Sequence, residues 1–229
     1  IATLNAQLYG PLNQVFTAFG EPNRVKLLSA TAANPILIYD EDAADRSAQI
    51  TGALSPILGV PTATAFGMVF GKARQSTPSD LVVLPASTVI GTPNSASPSP
   101  LINLNGVTYP MADRWVLTPQ EQTMVANATT AYNNTIAAIA ASKNLAFVDA
   151  NALLNTIATT GIQSNGFTLS GALVFGNAFS LDGVHPSPRG YALISNKFIE
   201  AINAKYGSNF KGVNLGNYRI LYPENPDNF

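Results

Sequence analysis

The sequence predicts an α/β chain, and four stretches carry that expectation. A long amphipathic helix opening at Thr118 runs into the apolar segment Leu145-Ala146-Phe147-Val148, the order found in half of a right-handed crossover unit. The runs Pro35-Ile36-Leu37-Ile38-Tyr39 and Leu81-Val82-Val83-Leu84 have strand length, and each lies beside residues with helical apolar spacing. A further helix opens at Ser187-Pro188, a hydroxyl cap followed by proline, with apolar residues at Tyr191, Ile194, Phe198 and Ile202.

Composition narrows the class. The chain has 229 residues, enough to bury a sizeable core, and 46% of them are hydrophobic. No apolar run approaches the roughly 18 residues of a membrane span, so no membrane span is expected. Twelve basic residues balance thirteen acidic ones, with no basic cluster to follow a phosphate backbone, and a nucleic-acid partner is not expected. The lack of cysteine removes disulfides, thiolate catalysis and Cys-type zinc sites.

In chain order, Leu4, Leu8, Leu12, Val15, Phe16 and Phe19 form a helical stripe, which Gly10-Pro11 should kink or divide. After the strand Pro35–Tyr39, the acids Asp40, Glu41 and Asp42 suit the first turn of a helix with Ile50, Leu54, Ile57 and Leu58 on its apolar face. Asp40, Glu41, Asp42 and Asp45 lack the glycine and terminal glutamate of a calcium loop, so no metal site is assigned to them. Residues 65–73 read as a helix whose Gly67 and Gly71 permit close backbone approach. Leu81–Leu84 reads as a buried strand. Ser87 lies just past it, where α/β proteins place chemistry, but its surroundings lack the glycines of a nucleophile elbow.

Residues 92–100 are loop-like, and Leu101–Tyr109 suits a hairpin around Asn105-Gly106. Thr118 and Glu121 form a capping box with Pro119 between them. Met124, Val125, Ala128, Tyr132, Ile136 and Ile139 then follow on one expected core face. Asn144 ends this helix, and Leu145–Val148 reads as a buried parallel strand. Asp149 stands at the strand's end, where a site role competes with capping the next helix. Gly161–Gly176 reads as a loop or hairpin, and the tail after Gly207 as irregular and surface-bound.

The chain's one histidine, His185, sits three residues after Asp182 on a short loop leading to the helix cap Ser187. A carboxylate accepting from one ring nitrogen fixes the tautomer and leaves the other free to take a proton from a nucleophile. The same residues also suit an ordinary loop, since Asp-Gly is a strong turn signal and a histidine before proline is common in loops.

Asp182-Gly183-Val184-His185-Pro186-Ser187, followed by Gly190-Tyr191 and an amphipathic helix, resembles the last block of the SGNH (GDSL-type) hydrolases. Tyr132–Ile136 through Leu145–Asp149 resembles that family's final helix and strand, so the likeness covers roughly residues 117–207. The resemblance implies a three-layer α/β/α, flavodoxin-like sandwich and serine ester hydrolysis without metal or organic cofactor. Carried onto this chain, it makes His185 the base and Asp182 its orienting partner.

The family's Gly-Asp-Ser-Leu-like serine block and its Gly-x-Asn-Asp block are missing from the sequence, which also opens at Ile1 rather than methionine. The expectation is therefore the C-terminal part of a longer hydrolase, or a cleaved product, with the sandwich incomplete in this chain. Residues 1–115 would be a mostly helical insertion and 116–229 the hydrolase part. Leu81–Leu84 belongs either to that insertion or to the core sheet. The expected partners are the missing N-terminal segment and a small ester substrate. Low charge content with many Ala, Asn, Thr and Ser suggests a secreted or bacterial cell-envelope setting, in the periplasm or as an outer-membrane lipoprotein. The alternative is a non-catalytic binding or assembly module on the same scaffold.

Overall fold

The computed structural model describes residues 1–172 and 175–220. The chain divides into two compact units, Ile1–Ala126 and Asn127–Phe229. The architecture is mixed, with helices and small antiparallel sheets of two strands each. The α/β class therefore holds in its coarse sense. Among the described residues parallel pairing is limited to single bridges such as Ile38 with Met111, and no parallel sheet is formed.

The first unit opens with α1 (Ala2–Leu4) and α2 (Gly10–Ala18), joined by one π-helical turn, Asn5–Tyr9. Gly10 and Pro11 thus change the winding rather than break the rod. Proline would collide with the carbonyl one turn back in a regular helix, and the wider turn relieves that contact. Leu8, Leu12, Val15 and Phe16 are buried as the stripe predicts, Tyr9 is buried beside them, and Phe19 is exposed. The Tyr9 hydroxyl donates to Val107 O at 2.6 Å.

Strand β1 (Leu37–Tyr39) pairs antiparallel with β2 (Ala73–Gln75). Between them lie α3 (Ser47–Leu58) and α4 (Val60–Phe70). Helix α3 begins later than the acidic run suggests, because those acids bond elsewhere. Asp40 is buried against Arg74, and Asp45 accepts from Ser47 N and Oγ. Ile50 and Leu54 are buried, but Ile57 is 77% exposed. A Cβ on Gly67 would lie 2.3 Å from Thr51 Oγ1, so this glycine lets α3 and α4 close on each other. Arg74 also forms two bonds to Asp80, of 2.8 and 2.6 Å, and its guanidinium is held above its ordinary pKa by these carboxylates. Burial alone would raise the Asp80 carboxyl, but bonds from Arg74 and Thr77 outweigh it and bring it below its usual value.

Two expected strands are corrected. Leu81–Leu84 is not a buried strand: only β3 (Leu81–Val82) forms, antiparallel to β4 (Val116–Leu117), and Leu81 and Leu84 are exposed. Leu145–Val148 forms no strand, and Leu145 and Phe147 are exposed. Helix α5 (Pro119–Ser142) starts at the expected capping box, with Thr118 N donating to Glu121 Oε2 at 2.7 Å. Its anticipated core face is nevertheless uncovered. Met124, Val125, Tyr132, Ile136 and Ile139 are all exposed, and only Ala140 of this helix is buried.

In the second unit, α6 (Ala150–Thr159) is capped by Asp149, whose Oδ1 accepts from Ala152 N at 2.8 Å. Strands β5 (Ile162–Ser164) and β6 (Phe167–Leu169) form a hairpin turning at Asn165-Gly166, both with positive φ as such a two-residue turn requires. The core gathers Ile157, Leu169, Ala178, Leu193 and Leu215. Helix α7 (Pro188–Tyr206) buries Ala192 and Leu193, while Tyr191 and Phe198 of the expected face are exposed. Asn196 and Asn203 clasp the segment after α7: each amide bonds both the N–H and the C=O of one residue, Val213 and Phe210 respectively. The tail after Gly207, expected to be irregular and surface-bound, instead buries Leu215 in this core; residues 221–229 of it lie outside the described residues.

Candidate active-site pair

The loop carrying the histidine is the tip of a short antiparallel turn. Ser187 N donates to Ala178 O and Ser180 N to His185 O, both at 2.8 Å, with a bridge between Phe179 and Pro186. Gly183 N closes the tip on Ser180 O, and the left-handed φ of +71° at Gly183 explains the glycine there. The base of the turn is fixed to α7. Ser187 is fully buried, its Oγ donating to Asn177 O at 2.7 Å and accepting from Gly190 N at 3.0 Å as the helix cap.

At the tip, His185 Nδ1 lies 2.6 Å from Asp182 Oδ2. The other carboxylate oxygen, Oδ1, accepts from Ser180 Oγ at 2.6 Å and from the amides of Val184 and His185 at 2.9 Å each. The Ser180 hydroxyl first, then the Val184 amide and the His185 ring and amide, hold the Asp182 carboxyl well below the usual carboxylate range. It is ionised near neutral pH and can only accept, so the imidazole donates from Nδ1; in the neutral ring Nε2 is then the acceptor. The His185 side chain is 73% exposed, and among the described residues no hydrogen bond reaches Nε2. The arrangement is a hydrogen-bonded carboxylate–imidazole pair on an exposed loop tip.

Ser87, Asp149, Asp40 and Asp45 are engaged elsewhere. Ser87 Oγ donates to Leu84 O at 2.9 Å within a single helical turn. Asp149 serves as the α6 cap. Asp40 pairs with Arg74 and Asp45 with Ser47. Among the described residues no group of three or more His, Cys, Asp or Glu is placed to hold a metal. Cavities of about 550, 410 and 400 Å³ occur, and neither Asp182 nor His185 lines any of them.

Three supporting residues carry roles that the sequence did not assign them, Gly190 having been noted only as part of the family-like block. Gly190 lets α7 approach the loop. Arg189 donates from Nη1 to Asn177 Oδ1 at 3.0 Å and stacks on the Phe167 ring at 4.0 Å. Ser180 bonds Asp182. Only Ser180 had a local signal, a hydroxyl two residues before an Asp-Gly turn; the partners of Arg189 and Gly190 are distant in sequence. No family model, curated protein or solved structure matches the chain.

Proposed function

We propose that the chain is the C-terminal portion of a serine acyl-ester hydrolase of the SGNH (GDSL) type, with His185 as general base and Asp182 as its orienting partner. The observation that carries this reading is the 2.6 Å Nδ1–Oδ2 contact on a rigid turn, with Nε2 left open. The serine and the oxyanion donors come from another segment of the same hydrolase, and together the parts complete an α/β/α sandwich. The uncovered face of α5 and the unpaired Leu145–Val148 support such a companion, since apolar surface of this kind marks an interaction site. The low charge content supports a secreted or cell-envelope setting.

In the proposed reaction, Nε2 takes the proton of the serine hydroxyl as its oxygen attacks the ester carbonyl. The tetrahedral adduct then expels the alcohol, which receives that proton from the imidazolium, leaving an acyl-serine. Water, deprotonated by the same nitrogen, attacks the acyl carbon, and the serine oxygen leaves with the proton. Asp182 holds the tautomer throughout and stabilises the imidazolium. The substrate class is a small ester, and no metal or organic cofactor takes part.

The test is hydrolysis of short p-nitrophenyl esters by the whole protein, including any sequence that precedes Ile1. His185→Ala should lower kcat/KM by about 10³-fold or more; an unchanged rate excludes the reading. A non-catalytic binding or assembly module is the second reading, favoured by the lack of any described hydroxyl hydrogen-bonded to Nε2. A whole protein with no esterase activity, and no serine in a Gly-(Asp/Asn)-Ser-Leu context, would select it.

A further inference from the structure

We propose that Ser180 is a positioning residue for the Asp182–His185 pair, its hydroxyl occupying Asp182 Oδ1 so that Oδ2 is left to the imidazole alone. The inference rests on reading the pair as base and partner, and it concerns how that pair is held.

A carboxylate offers two oxygens with about four acceptor positions, so its orientation is set by how the donors divide between them. Here the division is uneven. Oδ1 receives three donors, Ser180 Oγ, Val184 N and His185 N, and among the described residues Oδ2 receives only the His185 ring. The Asp182 side chain is half-exposed, so an unfilled position on Oδ1 would go to water, which imposes no direction. The terminal torsion of aspartate is broad, and donors rather than rotamer preference must fix the carboxylate plane.

Ser180 is suited to this task because it is itself fixed. Its N–H donates to His185 O and its C=O accepts from Gly183 N, so the hydroxyl and the imidazole hang from opposite sides of one closed turn. Those backbone bonds, with Ser187 N to Ala178 O, hold the turn without help from the hydroxyl. The hydroxyl therefore acts on the carboxylate rather than on the fold. No lysine or arginine forms an ion pair with Asp182 among the described residues, and His185 is the one ionisable side chain bonded to it.

The single histidine makes the test direct, because one pair of ring ¹⁵N signals reports the pair in this chain. In the unsubstituted protein the neutral ring should be held in the Nδ1–H form, and the Asp182 carboxyl ¹³C signal should titrate below the ordinary aspartate range. Ser180→Ala should raise the Asp182 midpoint and shift the ring toward a mixture of tautomers. Ser180→Thr, which keeps the hydroxyl, should restore both. If Ser180→Ala leaves both signals in place while Asp182→Asn abolishes the Nδ1–H preference, Ser180 is idle and the proposal is overturned. Should the alanine variant open the turn, seen as lost amide protection at Ser180 and Ser187, Ser180→Cys supplies a near-isosteric weak donor. A raised midpoint in that variant supports the proposal, and an unshifted one contradicts it. These spectra need no turnover, so failure of the esterase assay would leave their outcome distinct.

Discussion

A Cβ on Gly190 would stand 2.1 Å from the carbonyl oxygen of Ala178, so the first turn of α7 lies directly on the segment leading into the Asp182–His185 loop. That backbone contact couples the helix to the pair. Ser187 caps the same turn and bonds Asn177 O, so the loop is held from two directions.

Gly190→Ala should therefore act on the pair as well as on stability. Overpacking at a site closed by backbone costs about 1–3 kcal/mol, because the carbonyl cannot swing aside as a side chain can. Denaturant unfolding measures the loss, and the His185 ring ¹⁵N signals should report a disturbed tautomer. A variant as stable as the parent, with unchanged ring signals, would show that the contact relaxes freely.

Tyr9 gives a pH prediction whose sign follows from its burial. Desolvation pushes its phenol up to about 12, above the unfolded value of about 10. Its contribution to stability is fully present below the unfolded value and is lost as pH rises through the folded one. Tyrosinate absorbance should show one of the eight tyrosines ionising late, together with unfolding. Tyr9→Phe should remove that step and cost about 1 kcal/mol at neutral pH, as the bond to Val107 O is lost. Ionisation of Tyr9 near pH 10 in the folded protein would contradict the assignment.

Local chemistry was legible in the sequence at several pairs whose donor and acceptor lie within one turn of each other, although Ser180 with Asp182 was missed. Thr118 with Glu121, Asp149 with Ala152, Ser187 with Gly190 and Asp182 with His185 are all pairs of this kind. Coverage was not legible. Leu81–Leu84 and Leu145–Val148 have the apolar content of buried strands, but content does not specify which element lies over them, and here their large side chains face outward. Helix α7 shows the same effect: Tyr191 and Phe198 fit the period, yet the small residues Gly190 and Ala192 let the opposite side pack closer. The pairing of β1 with β2 spans two helices, and Arg74 finds Asp40 across that distance, a relationship no local pattern encodes.

Covalent labelling decides whether Nε2 of His185 takes its proton from a serine that another segment supplies. The whole protein is treated with a fluorophosphonate, which phosphonylates an activated serine hydroxyl, and the modified residue is located by mass spectrometry. One serine outside residues 1–229 should be labelled, and labelling should slow by about 10²-fold or more in His185→Ala. An unlabelled protein, or labelling at the same rate without the imidazole, would contradict this role of His185.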